Sequence, residues 1–197
     1  MRTPRNWSSH CSVRVVAGIA GGRRLLAPPG RRLRPTTDRV REAMFSSLTS
    51  LDAIRDARVL DLFAGTGALG IEALSRGAAA ATFVDADHAA IRVIEQNLAT
   101  TGLGGDARVV HGDALRFIES TKELFDLALL DPPYAFDEWP RLLAALPARV
   151  AVLETGDHID IHPPWAAIRS RRHGDTVVTL VRRQQGAAAE EEGEAAE

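Results

Sequence analysis

At 197 residues and 21.2 kDa, with 45% hydrophobic and 25% charged residues, the chain fits one ordinary globular α/β domain with a modest extension. The single cysteine, Cys11, excludes an intramolecular disulfide or a Cys-rich zinc site and fits a reducing, cytoplasmic setting. No apolar run approaches the roughly 20 residues of a membrane span, and the net charge of −2 conceals a strong asymmetry. Residues 1–41 carry ten arginines against one acid, Asp38, for a net +9; residues 42–186 carry −6 and the last eleven residues −5. A basic arm on an acidic body points to a polyanionic partner.

In chain order, residues 1–12 lack periodicity and read as a flexible N-terminus. The apolar stretch at 13–20 is interrupted by Arg14 and rich in glycine, so it makes a poor signal peptide. Two apolar runs, at 13–17 and 23–27, flank Gly18-Ile19-Ala20-Gly21-Gly22 and predict a β-hairpin. Thr36 or Thr37 then caps a helix to about Leu51, with Val40, Met44, Phe45 and Leu48 at helical spacing. From residue 57 apolar runs at 57–63, 80–84, 107–110, 126–130 and 150–153 alternate with helical segments at about 68–76, 87–101, 113–121 and 137–146. That alternation predicts a doubly wound, mostly parallel sheet covered on both faces. Residues 166–172 and 176–182 alternate at period two around His173-Gly174-Asp175, so the sheet should close with an antiparallel hairpin. Residues 185–197 read as a disordered acidic tail. The expected organisation is a flexible 1–12, a basic hairpin-and-helix extension at 13–55, a catalytic domain at 56–184 and the tail.

Two constellations carry chemistry. In Val59-Leu60-Asp61-Leu62-Phe63-Ala64-Gly65-Thr66-Gly67-Ala68-Leu69-Gly70 a strand runs through a glycine turn into a helix. Gly65, Gly67 and Gly70 match the dinucleotide fingerprint, and Asp85 stands twenty residues after Gly65, as in a nicotinamide site. Asp61 tips the choice. A carboxylate beside the loop repels a pyrophosphate and suits the ammonium of S-adenosylmethionine, with Asp85 for the ribose hydroxyls. Asp113, in His111-Gly112-Asp113-Ala114, is placed for an adenine amino group or as a helix N-cap. The second constellation is Asp131-Pro132-Pro133-Tyr134, after the fourth apolar run. The prolines stiffen the loop and remove two N–H donors, leaving the Pro132 carbonyl as an acceptor. With the Asp131 carboxylate and the Tyr134 ring it forms a receptor for a planar base bearing an exocyclic amine; the bland reading is a rigid loop with a core tyrosine. His158-Ile159-Asp160-Ile161-His162 could set three ligands on one strand face, but no fourth ligand is evident and no metal site is expected.

These motifs resemble class I S-adenosylmethionine-dependent methyltransferases acting on exocyclic amines of nucleic acid. More narrowly, the chain resembles the RsmD-type 16S ribosomal RNA guanine-N2 methyltransferases over residues 16–182, through Gly21-Gly22-Arg23-Arg24-Leu25, Leu33-Arg34-Pro35-Thr36-Thr37-Asp38-Arg39-Val40-Arg41-Glu42, residues 61–70 and Asp131-Pro132-Pro133-Tyr134. The resemblance implies that Asp61, Ala64, Gly65, Gly67, Asp85, Asp113 and Ala114 serve S-adenosylmethionine, with Thr37 and Arg39 closing over its methionine end. It gives Asp131, Pro132, Pro133 and Tyr134 to the target base. Arg14, Arg23, Arg24, Arg31 and Arg32 would hold phosphates of small-subunit ribosomal RNA, free or in a partly or fully assembled subunit. A monomer is expected. An adenine-N6 methyltransferase satisfies the same base-binding loop, and a nicotinamide-dependent oxidoreductase the same glycines.

Overall fold

A computed structural model describes residues 13–27 and 38–184. Its elements are α1 (Asp38–Ser50), β1 (Arg58–Leu62), α2 (Ala68–Ser75), β2 (Ala80–Asp85), α3 (His88–Thr101), β3 (Ala107–His111), α4 (Ala114–Ser120), β4 (Phe125–Leu130), α5 (Trp139–Ala145), β5 (Ala148–Thr155), β6 (Trp165–His173) and β7 (Thr176–Arg183). The seven strands lie in the order β3-β2-β1-β4-β5-β7-β6. The first five are parallel; β7 runs antiparallel between β5 and β6. Each predicted strand and helix after residue 57 exists within a few residues of its expected ends. The local pattern does not predict the insertion of β7. That insertion explains why β7 is buried along Thr176–Val181, while its partner β6, at the sheet edge, is exposed beyond Trp165 and Ala166 despite its alternating pattern.

The period of two along each strand divides the core. Val59, Phe83, Leu127, Leu129, Val150 and Val152 face α1, α2 and α3; Leu60, Leu62, Ala128, Leu130, Ala151 and Leu153 face α4 and α5. The order in which strands are added reverses between the parallel neighbours β1 and β4, which opens a crevice at the carboxyl edge of the sheet.

The N-terminal hairpin is less regular than its sequence predicts. It holds one antiparallel bridge, Arg14 to Arg24, flanked by Val15–Arg23 and Leu25–Val13 backbone bonds. Side-chain anchors replace a sheet ladder. Glu72, fully buried in α2, accepts from the N–H groups of Val16 (2.6 Å) and Ala17 (3.0 Å), and Ser75 accepts from Ala20 N–H. Gly18 is obligatory at φ +82°, because a Cβ there would lie 1.8 Å from the Ser75 carbonyl oxygen. Val15, Ala20 and Leu25 thus join Met44, Phe45 and Leu48 of α1 in the same core as the sheet. No helix among the described residues is long and apolar enough to cross a membrane.

Candidate active site

The glycine turn after β1 is built by the carboxylates around it. Asp61 is 2% exposed, and its Oδ2 accepts the N–H of Gly70 at 2.8 Å. Asp85 is buried; its Oδ2 accepts from Gly65 N–H at 2.8 Å and its Oδ1 from Asp87 N–H at 2.9 Å. Each carboxylate oxygen has a second lone pair, so shaping the loop leaves capacity for a ligand. Within five residues Phe63, Gly65 and Gly67 all take left-handed backbone, with φ of 59°, 57° and 74°. Two are glycines. Phe63 is not, and such strain, of order 1–3 kcal/mol, is characteristic of ligand-binding turns. The third glycine answers a different need: a Cβ on Gly70 would stand 2.3 Å from the Phe83 ring, so α2 could not lie so close to β2.

The strand registers bring four acids to one edge. Leu62 pairs with Val84 and with Leu130, and Leu130 with Leu153, so β1, β2, β4 and β5 end together. Asp61, Asp85, Asp131 and Glu154 fall on the strand phase that faces α1–α3. Burial pushes the Asp61 carboxyl well above its usual range, and Asp131, Asp85 and Glu154 push it further. The concentrated negative potential suits a cationic ligand and opposes a pyrophosphate. Asp113 is the N-cap of α4, its Oδ1 accepting from Arg116 N–H at 2.9 Å, and Ala114 opens that helix. Beside them His88 and His111 stack at 3.6 Å, and His111 Nε2 reaches the Ala86 carbonyl.

The proline loop follows directly after β4. Pro132 is buried, and the turn closes through Phe136 N–H onto the Pro133 carbonyl rather than the one at Pro132. Tyr134 is no core residue: it is 66% exposed, with its ring against Gly156. It borders a cavity of about 240 Å³ lined also by Pro132, Phe136, Trp139, Glu154 and Thr155. Phe136 meets Phe63 edge-on at 5.2 Å and Trp139 at 5.3 Å, tying this wall to the glycine turn. The sequence reading missed Phe136, Trp139 and Glu154. Glu154 had a usable signal, a lone acid ending an apolar strand, as at Asp61.

Arg14, Arg23, Arg24 and Arg39 are all exposed; Arg14 Nε donates to Asp38 (2.6 Å) and Arg23 to the Thr100 carbonyl (2.7 Å). Arg31, Arg32, Thr36 and Thr37 lie outside the described residues. Residues 158–162 are not the strand that their pattern allowed. Ile159 and Ile161 pack on the core and His158 Nδ1 reaches the Ser170 hydroxyl, so the three polar residues share no strand face.

Comparisons with known proteins agree with this geometry. The family model described as Conserved hypothetical protein 95 matches residues 13–182. Ribosomal RNA small subunit methyltransferase D of Escherichia coli (strain K12) is 44% identical over 134 residues, 68% of this chain and 66% of that protein. The Haemophilus influenzae protein of the same name is 38% identical over 128 residues, 64% of this chain and 65% of that one. The alignment thus spans about two thirds of the length of each relative. The solved structure of yhhF from Escherichia coli superimposes with a TM-score of 0.79 at 34% identity, covering 89% of this chain and all of that one. A hypothetical protein from Thermus thermophilus follows at 0.73 and 35%, covering 86% and 99%. The fold is the class I methyltransferase fold, and the chain belongs to the Conserved hypothetical protein 95 family, the RsmD-type methyltransferases that its motifs resemble.

Proposed function

We propose that this protein is a cytoplasmic enzyme that transfers the methyl group of S-adenosylmethionine to the exocyclic N2 of a guanine in small-subunit ribosomal RNA. The observation that carries the reading is the juxtaposition of an acid-ringed glycine turn with a rigid Asp-Pro-Pro-Tyr loop at one sheet edge. The names of the Escherichia coli and Haemophilus influenzae relatives supply the substrate class. The Asp61 and Asp85 carboxylates at the glycine turn fit a cofactor bearing an ammonium and ribose hydroxyls, and its sulfonium would supply a labile methyl group when bound. Asp61, Ala64, Gly65, Gly67, Asp85, Asp113 and Ala114 would hold that cofactor, with Thr37 and Arg39 contributed by the preceding segment.

The protein's own work is alignment and exclusion of water. Tyr134 stacks the flipped base. The Asp131 carboxylate and the Pro132 carbonyl accept the two N–H bonds of the amine, which turns its lone pair towards the methyl donor and strengthens as positive charge develops on nitrogen. The nitrogen–carbon bond forms as the carbon–sulfur bond breaks, and the surplus N2 proton leaves to solvent. Arg24, with Arg31 and Arg32, holds phosphates that position the RNA without reading its sequence.

Labelled S-adenosylmethionine, the enzyme and unmodified small subunits, followed by mass spectrometry of the digested RNA, test the reading. N2-methylguanosine is the expected product. N6-methyladenosine or no transfer overturns it, as does stabilisation of the protein by NAD and not by S-adenosylhomocysteine.

A further inference from the structure

We infer that Glu154 is the residue that selects guanine over adenine, by accepting the hydrogen of guanine N1 while Asp131 and Pro132 hold the N2 amine. The inference rests on the guanine-N2 reading and extends it to a residue outside the proline loop. Its basis is placement. Glu154 is the penultimate residue of β5, one beyond the Leu130–Leu153 pair, so its register places it across from Asp131, the residue that follows β4. It is 1% exposed and lines the cavity between the Tyr134 loop and the Phe136–Trp139 wall. Its charge is felt at Asp61, which places it in the same electrostatic cluster as the glycine turn.

The proline loop alone cannot tell the two purines apart. Guanine N2 and adenine N6 are both planar amines with two N–H donors, and Asp131 with Pro132 satisfies either. The difference lies in the next atom of the Watson–Crick edge: guanine N1 carries a hydrogen, whereas adenine N1 carries a lone pair. A buried carboxylate at that place gains a charge-assisted hydrogen bond from guanine and meets a lone pair in adenine, with water excluded from the gap. Three acceptors from three positions, Asp131, Pro132 and Glu154, then match the three donors of guanine. A polar site of this kind rejects the wrong partner far better than an apolar pocket does, because its own buried group is left unmatched.

A base analogue separates this role from a structural one. 2-Aminopurine keeps the 2-amine of guanine but presents a lone pair at N1. Small subunits reconstituted with guanine or 2-aminopurine at the methylated position would be compared by kcat/KM for wild type and Glu154→Gln, with S-adenosylhomocysteine binding as the control for folding. Wild type should prefer guanine by on the order of 100-fold or more. Glu154→Gln should lose part of its turnover on guanine, since the amide oxygen accepts N1–H without the charge. It should gain turnover on 2-aminopurine, because the amide N–H can donate to N1, while cofactor affinity is retained. Should the amide variant not fold, Glu154→Asp, with its carboxylate withdrawn by one methylene, should lose turnover on guanine without gaining it on the analogue. Equal use of both bases by wild type overturns the inference alone, as does an equal loss on both in a variant that binds cofactor normally. Absence of N2-methylguanosine from the wild-type reaction overturns the guanine reading, and this inference with it.

Discussion

Asp61 shows how one side chain serves conflicting demands. Its Oδ2 fixes the start of α2 through Gly70, yet its burial among Asp85, Asp131 and Glu154 makes its ionised form costly. A carboxyl whose folded pKa is raised holds its proton more tightly in the native state than in the unfolded chain. Stability therefore falls as pH climbs from the ordinary aspartate range through the raised value, and the cost is complete above it. Asp61→Asn retains an oxygen for Gly70 and cannot ionise. In urea unfolding without ligand it should be more stable than wild type at pH 8, and the advantage should shrink as pH falls towards 4. The same change should weaken S-adenosylhomocysteine binding by roughly 1.5–3 kcal/mol, the worth of a charged hydrogen bond to its ammonium. A stability difference that ignores pH would mean that Asp61 is not titrating where its burial places it.

At the scale of elements, the alternation after residue 57 was legible because apolar runs and amphipathic helices have different periods, and the glycine turn because its demands fall on glycine. Two things were not. The place of β7 between β5 and β6 is a tertiary pairing that no local pattern encodes. The docking of the hairpin depends on Glu72 and Ser75, polar residues inside α2 whose partners lie more than fifty positions earlier. The sequence likewise gives no sign that two of the hairpin arginines, Arg14 and Arg23, bond within the protein. Arg24 is exposed on the same hairpin and makes the cleaner test. Arg24→Glu should weaken RNA binding and reduce the slope of log affinity against log salt by about 0.7–0.9, one phosphate contact. Cofactor affinity should not move. Unchanged RNA affinity at every salt concentration would leave the basic arm as a solvated surface.

Over the whole molecule, one residue bonds to both the N-terminal hairpin and the glycine turn. Asn97, fully buried in α3, accepts from Leu26 N–H at 2.7 Å and donates through Nδ2 to the carbonyls of Leu26 (3.1 Å) and Thr66 (2.9 Å). Thr66 lies between the two left-handed glycines of the turn, and Leu26 near the end of the hairpin. A single amide therefore ties the glycine turn to the end of the N-terminal hairpin, which couples the proposed cofactor site to the proposed RNA-binding segment. Asn97→Ala leaves the Thr66 carbonyl without this partner, at a cost of about 1–3 kcal/mol. The specific expectation is a shared loosening. Amide exchange should rise together at Leu26 and at residues 65–67, and S-adenosylhomocysteine should bind more weakly although Asn97 lies outside the proposed cofactor contacts. Because ligand binding must then re-order the turn, saturating S-adenosylhomocysteine should restore slow exchange at residues 65–67 and, through the same frame, less completely at Leu26. Faster exchange at Leu26 alone, with the turn and cofactor affinity unchanged, would show that the arm is only tethered to the domain and not coupled to its site.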